Sequence, residues 1–436
     1  MIEALIGFSA VLVLVFLRTP IAFAMGIVGV AGYAAETNMT ASLSLASRII
    51  ADTAQDYGLT VIPLFILMGM FVNQSGMSTE IYRVSHATLG HLRGGLALAT
   101  ILACGIFAAL SGSSLATAAT MSRVAIPEMR RHRYSDRLST ASIAAGGTLG
   151  ILIPPSVALI IFGILTETSI ASLFLAGVIP GLMGILFYMA AVRFVVWRDP
   201  AAGPAGPRST WGERLRALTG VWTVLLLFVA VIGGLYGVFD FAPLNLTFSP
   251  TEAAGIGAAG TFLIALVRRR LTFRLLKTAL FETARTSASL FAVLIGAWIF
   301  SNYINYVGMA DQLLAMIKAA DFPAMGVIFL IVGVYLILGC VFESLSMMLL
   351  TVPVFYPLVA ELGFDLVWFG IVVVVVTEIS LITPPVGMNV FVLKGIVRDV
   401  PTAEIFRGVT PFWVADIARL LLIVLIPGLS LMLVAR

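Results

Sequence analysis

Apolar residues run in long blocks along the chain, and the polar residues between them mark its turns. Ile2–Phe16 is apolar and stops at Arg18-Thr19-Pro20; Ile21–Ala35 is the next block. Ala41–Gln55 carries Arg48, Asp52 and Gln55 among apolar residues, the pattern of a helix lying along a membrane interface. Leu59–Val72 crosses again, and Ser78–Arg93 is a polar helical stretch. Val221–Val238, Phe291–Val307 and Leu420–Val434 approach the roughly 20 apolar residues that a membrane helix needs. The chain reads as an all-α polytopic membrane protein.

Some blocks are interrupted. Gly94–Met129 is small and apolar, but its centre reads Leu110-Ser111-Gly112-Ser113-Ser114. Arg93 precedes it and Arg130, Arg131, Arg133 and Arg137 follow. Basic flanks mark the cytoplasmic side, so a segment with both flanks basic enters from the cytoplasm and returns as a re-entrant hairpin. Ala324–Leu358 is a second hairpin, with Gly339, Glu343, Ser344 and Ser346 near its centre and both ends external. Leu138–Leu165 and Val367–Gly395 each hold a Pro-Pro, in GGTLGILIPP (Gly146–Pro155) and TEISLITPP (Thr377–Pro385). Proline has no N–H, and its ring clashes with the preceding turn, so both helices break. A broken backbone is tolerated at membrane depth where protein buries it or where it lines a wet cavity.

These features recur in order. Residues 1–197 form a first repeat, with hairpin 94–129 and broken helix 138–165; 198–218 form a basic, proline-rich cytoplasmic linker; 219–436 form a second repeat, with hairpin 324–358 and broken helix 367–395. In the second repeat Leu271–Arg285 is the interfacial helix and Ser287–Val307 the span after it. Gly177-Val178-Ile179-Pro180 echoes Gly408-Val409-Thr410-Pro411, as Ile153-Pro154-Pro155 echoes Thr383-Pro384-Pro385. The halves start on opposite sides, which puts both termini outside. Inverted repeats with broken helices are the signature of a secondary transporter.

Composition narrows the function. The chain is 60% hydrophobic and 11% charged, against about 25% charged in soluble domains. The net charge of +4 comes from basic residues gathered in loops, which records topology and gives no reason to expect nucleic acid. Cys104 and Cys340 lie in apolar segments and read as packing residues. The first block lacks a basic leader and reads as a membrane helix, not a removed signal. No phosphate-cradling glycine loop and no HExxH occur, and the three histidines fall in predicted cytoplasmic segments. An enzyme is not expected.

The interruptions supply the candidate chemistry. Ser111, Ser113 and Ser114 offer hydroxyls, and the unwound stretch through Gly147, Thr148, Gly150 and Pro154 offers carbonyls; together they make a first oxygen-rich cation site. Gly339, Ser344, Thr377, Thr383 and Met388 (through its backbone) make a second. Half-helix C-terminal ends favour cations and N-terminal ends favour anions, so an anionic solute would lie between the sites, near Ser113 and Asn389. Close packing of small residues is the alternative role of the serines. Glu343 and Glu378 fall at membrane depth, where a charge costs about 2.5–3.5 kcal/mol, and read either as carboxyls for proton or cation coupling or as protonated or hydrogen-bonded structural groups. The first repeat has no matching acid, which argues against a proton relay built on both.

The runs ALSGSSLATAATMSRVAIPEM, GGTLGILIPPSVALIIFG and LITPPVGMNVFVLKGI resemble the large membrane subunit of tripartite ATP-independent periplasmic (TRAP) transporters, over nearly the whole chain. The resemblance implies an elevator-type permease of the bacterial inner membrane, surrounded by lipid. It would take up an organic acid anion such as a C4-dicarboxylate or a sialic acid. Na+ would be the coupling ion, with no organic cofactor. It implies two partners, a small four-helix membrane subunit (here a separate polypeptide) and a periplasmic substrate-binding protein. The hairpins and broken helices would form the moving part and the other helices a scaffold. The second tip, with Glu343 and Met347-Met348, does not mirror the serine-rich first tip. The alternative is a stand-alone sodium- or proton-coupled anion transporter, or a cation/proton antiporter of similar fold, working without a binding protein.

Overall fold

A computed structural model describes residues 2–240 and 246–434. The first half runs through α1 (Ile2–Phe16), α2 (Ile21–Glu36), α3 (Met39–Gln55), α4 (Val61–Gln74), α5 (Met77–Leu89), α6 (Gly95–Ser111), α7 (Ser114–Arg131), α8 (Asp136–Gly147), α9 (Val157–Thr166) and α10 (Ile170–Arg198). The second runs through α11 (Trp211–Phe228), α12 (Pro250–Val267), α13 (Phe273–Tyr306), α14 (Met309–Ala319), α15 (Ala324–Leu338), α16 (Ser344–Glu361), α17 (Leu366–Ser380), α18 (Met388–Ile396), α19 (Thr402–Leu425) and α20 (Gly428–Leu431). Seven helices among the described residues are long and apolar enough to cross a membrane. The chain is an all-α, multi-pass membrane protein.

Side-chain caps set many of the boundaries. Asn38, Ser113, Ser135, Ser156 and Ser169 each accept an N–H from the first turn of the helix that follows. Thr210 with Glu213, and Ser249 with Glu252, form reciprocal capping boxes. The Thr210 box starts a helix inside the stretch read as linker, so Trp211–Leu218 are helical and only the residues between α10 and α11 connect the halves. That connection is not loose. Gly203 O accepts from Gly94 N, Ala202 O from Ser135 N, and Gly90 O from Gly206 N, which ties it to the base of the first hairpin.

The largest departure from expectation is α13. The interfacial helix Leu271–Arg285 and the span Ser287–Val307 are one continuous helix of 34 residues, about 50 Å long at ~1.5 Å per residue. In the first half the corresponding pair is split. Asp56 accepts the Gly58 N–H at 2.7 Å and opens a short 3-10 turn between α3 and α4. No capping residue or proline interrupts α13, so nothing stops the helix.

Contacts between the halves come in exchanged pairs. α2 packs along α13 and α12 along α4; α7 packs on α18 and α16 on α9; α8 packs on α19 and α17 on α10. Each half thus covers the broken helix of the other. The α2–α13 crossing depends on glycine: a Cβ on Gly29 would stand 2.8 Å from the Phe300 nitrogen and 2.9 Å from the Ile299 carbonyl carbon. Small residues let backbones approach this closely in membranes.

Gly29→Val should therefore push α2 off α13 and lower the melting temperature, at a cost of about 1–3 kcal/mol. Gly255→Ala, at a position with no neighbour within 4 Å, should not. Thermal melting of both variants in one detergent checks this; equal melting would show that the crossing is not tight.

Candidate transport site

The first hairpin turns at Gly112, whose φ of 60° is left-handed and suits glycine. Ser113 then caps α7 by accepting the Ala116 N–H at 3.3 Å. Ser111 Oγ lies 2.8 Å from Thr117 Oγ1, closing the tip on itself. The first helix break lies directly against this tip. After α8, residues Thr148–Ile151 form a 3-10 turn, and a Cβ on Gly150 would meet the Ser114 nitrogen at 3.3 Å and the Ser113 carbonyl carbon at 3.4 Å. Ser156 caps α9 through the Leu159 N–H, and its hydroxyl also donates to the Ile151 carbonyl.

The second hairpin turns differently. Gly339, Cys340, Val341 and Phe342 donate their N–H groups back into the last turn of α15. Glu343 then caps α16, accepting from the Ser346 N–H at 3.2 Å and the Ser346 hydroxyl at 3.3 Å. This is a local role for Glu343: its negative charge sits on the positive end of its own helix. Gly339 faces Ser380 at the second break so closely that a Cβ there would overlap the Ser380 side chain.

One residue joins the two tips. Glu378, in α17, is 1% exposed. Its Oε2 accepts from Ser114 Oγ at 2.6 Å and its Oε1 from Ser344 Oγ at 3.2 Å. Ser114 and Ser344 are each the first residue of the returning hairpin helix, so the same position in both hairpins reaches the same carboxyl. A buried carboxyl needs such partners, because burial without them is strongly unfavourable.

A cavity of about 470 Å³ opens beside this junction. Both tips line it, through Ser111 to Ala116 and through Glu343 to Leu345. Gly69, Met70 and Asn73 of α4, and Glu282, Arg285, Thr286 and Ser289 of α13, close the other side. The Arg285 guanidinium makes no hydrogen bond or ion pair among the described residues. The sequence reading missed this wall because it ended an interfacial helix at Arg285. The signal was there: positions 282, 285, 286 and 289 follow the i, i+3, i+4, i+7 spacing of one helix face.

The other expected site residues fall as follows. Gly147 is buried, and a Cβ on it would meet the Ser114 carbonyl oxygen and the Asn389 amide nitrogen, each at 3.1 Å. Thr148 turns away from the tip and pairs with Tyr188 OH at 2.7 Å. Pro154 is buried, whereas Pro384 and Pro385 are exposed; both Pro-Pro bonds are cis. Thr377 and Thr383 donate their hydroxyls to carbonyls of their own helical turns, at Val374 and Ile379, and Thr383 also accepts from Trp413 Nε1. Their oxygens retain acceptor capacity only. Met388 opens α18 after the left-handed Gly387. Asn389, expected beside the solute with Ser113, lies outside the cavity: it is fully buried and donates from Nδ2 to the Ala144 carbonyl at 3.0 Å. The apolar packing of α18 on α7 and α8 encloses it.

As a donor set, the tips and breaks offer hydroxyl, carbonyl and carboxylate oxygens, the ligands of a hard cation. Asn389 Oδ1 adds a buried acceptor with no partner among the described residues, on the side chain that lies against Gly147. These groups fit sodium by chemistry. Away from the site, Arg130 bonds Asp136 at 2.7 Å and Asp399 at 2.5 Å, joining α7 to α8 and to the loop after α18. The Arg130 guanidinium holds the exposed Asp399 carboxyl below the usual carboxylate range.

Comparison with known proteins gives the architecture its family. Residues 8–429 match the tripartite ATP-independent periplasmic transporter family, DctM component. The chain is 34% identical to the C4-dicarboxylate TRAP transporter large permease protein DctM of Pseudomonas aeruginosa, over 89% of this chain and 88% of that one. It is 33% identical to the ectoine/5-hydroxyectoine TRAP transporter large permease protein UehC of Ruegeria pomeroyi, over 86% and 85%. The crystal structure of the Alcanivorax borkumensis YdaH transporter shares the fold, with a TM-score of 0.61 over 90% of each chain at 17% identity. The chain is thus a transporter subunit and not an enzyme: it belongs to the DctM, or large permease, family of TRAP transporters.

Proposed function

We propose that this chain is the permease of a sodium-coupled uptake system for an organic acid anion, fed by a periplasmic binding protein and completed by a small membrane subunit. It would sit in a bacterial inner membrane with both termini periplasmic, as two inverted repeats, the second beginning with α11, joined through the segment between α10 and α11. The observation that carries this reading is the junction at Glu378, where both hairpin tips reach one buried carboxyl beside a 470 Å³ cavity. A cation held by one tip and its break adds positive charge next to that carboxyl, so ion binding and tip closure favour each other.

The residues divide the work. Ser111, Ser113 and Ser114, with the Gly147–Pro154 break, would hold one ion. Asn389 joins that site in place of its expected contact with solute, through its unpaired Oδ1. Gly339, Ser344 and the Thr377–Met388 break would hold another. The solute anion would occupy the cavity, with Arg285 presenting a planar pair of donors to a carboxylate. Glu343 already neutralises the N-terminal end of α16, so the anion is directed to the Ser113 side. With α4 and α13 as fixed wall and the hairpins and broken helices moving, Arg285 would meet the solute in only one orientation of an elevator cycle. Two sodium ions entering down 100 mV and a tenfold gradient release about 7 kcal/mol, enough for strong accumulation.

Sodium in place of choline, at equal ionic strength, should raise the melting temperature of the purified chain and saturate, because a ligand of the folded state stabilises it. Glu378→Gln should shift the sodium half-saturation point upward about tenfold or more, as expected for loss of a charge-assisted contact. A parent chain indifferent to sodium would contradict the coupling ion; an unchanged midpoint in Glu378→Gln would remove that carboxyl from it. Ser114→Ala and Ser344→Ala should each lower stability by about 1–3 kcal/mol, by leaving a buried carboxylate oxygen without its donor. In proteoliposomes holding both membrane subunits, uptake should require the cognate binding protein. Uptake without it would favour a stand-alone transporter.

A further inference from the structure

The two helix breaks are anchored at the same place by different means. Thr148 stands six residues before Pro154, and Glu378 six residues before Pro384. Glu378 is held by the hairpin serines. Thr148 is held by Tyr188 of α10, whose hydroxyl donates to Asp416 Oδ2 of α19 at 2.7 Å. With the one Tyr188 hydroxyl proton directed to Asp416, the contact with Thr148 is carried by the Thr148 proton, for which the Ala145 carbonyl, also at 2.7 Å, is the other acceptor. Asp416 Oδ1 in turn pairs with Arg419 Nη2 at 2.6 Å. Tyr188, Asp416 and Arg419 are each at most 1% exposed, and the Arg419 guanidinium lies 6.0 Å from the Tyr188 ring centre. Gly184 makes room for it: a Cβ there would overlap Arg419 Nη1.

A buried ion pair is a weak source of stability, since apolar residues of the same volume do as well. It does fix an orientation. Asp416 and Arg419 aim the Tyr188 hydroxyl, and the hydroxyl aims Thr148, the first residue of the 3-10 turn that touches Ser113 and Ser114. We propose that Tyr188, oriented by the Asp416–Arg419 pair, is a positioning residue that holds the first helix break in register with the first hairpin tip and so sets the affinity of that site for its cation. Tyr188 touches no transported species; it acts through Thr148. The affinity part of this inference rests on the sodium reading above, and the positioning part does not.

The test uses the purified full chain, with sodium chloride or choline chloride as probe, and hydrogen exchange of the peptide covering 147–156. Tyr188→Phe keeps the ring over Arg419 and removes the hydroxyl. The sodium concentration for half-maximal thermal stabilisation should rise about fivefold, the size of one neutral hydrogen bond. Exchange in 147–156 should quicken in choline, with the peptide covering α15 unchanged. Thr148→Val, which leaves Asp416 its donor, should do the same, and the double variant should shift the sodium midpoint no further, because the Thr148–Tyr188 link is already lost in each single variant. Additive shifts, or an unchanged sodium midpoint together with unchanged exchange in 147–156, would overturn the proposal. If the parent chain ignores sodium, the coupling reading fails, and exchange alone decides: faster exchange in both variants sustains the positioning role and unaltered exchange ends it. Should Tyr188→Phe not fold, Thr148→Val carries both readouts.

Discussion

A carboxyl closed off from solvent has to find donors within the protein, and Glu378 finds them where both hairpins reach it. Much of the architecture follows from that requirement. Ser114 and Ser344 must each begin a helix that starts at depth, so both hairpins must turn inside the structure. Each turn leaves backbone groups to be capped, and Ser113 and Glu343 cap them. The helix breaks then lie against the tips, with glycine where the contact is closest: Gly150 against Ser113 and Ser114, and Gly339 against Ser380. A site assembled this way couples both halves through a single side chain.

The halves share a plan but differ in chemistry. The first tip is neutral and hydroxyl-rich, and its break is tied through Thr148 to a buried charge pair on α19. The second tip carries its own carboxylate cap, and its break carries Glu378. The first break is therefore held from the side of α10 and α19, and the second from the hairpins. Outside them, α4 and α13 supply one wall of the cavity, and the unbroken length of α13 brings the polar residues at 282, 285, 286 and 289 opposite the tips.

Local chemistry was legible in the sequence. Ser-Gly-Ser-Ser within an apolar block marks a turn, and Pro-Pro marks a break wherever it stands, so both hairpins and both broken helices could be placed from residues alone. What needed distant partners could not be read. Ser114 and Glu378 are 264 residues apart, and no spacing rule joins them. Asn389 looked like a solute contact because an anion was expected between the two cation sites, but the packing of α18 on the first half buries it. Arg285 was lost at a boundary drawn where polar residues gave way to apolar ones, although no residue there stops a helix. Asp416 and Arg419 carried a visible mark, opposite charges three residues apart inside an apolar helix, and their partner Tyr188 did not.

If a coupling ion belongs to the arrangement in which both hairpin tips close on Glu378, its presence and absence should change that junction. The most direct measurement is a pair of high-resolution cryo-electron microscopy maps of the chain with its small subunit, one in sodium and one in choline. In sodium, Ser114 and Ser344 should both remain within hydrogen-bond distance of Glu378, with ion density between a tip and its break and oxygen ligands at about 2.4 Å, the distance usual for hard cations. In choline that density should be gone and at least one tip loosened. Identical maps without ion density, or tips standing apart from Glu378 in sodium, would contradict it.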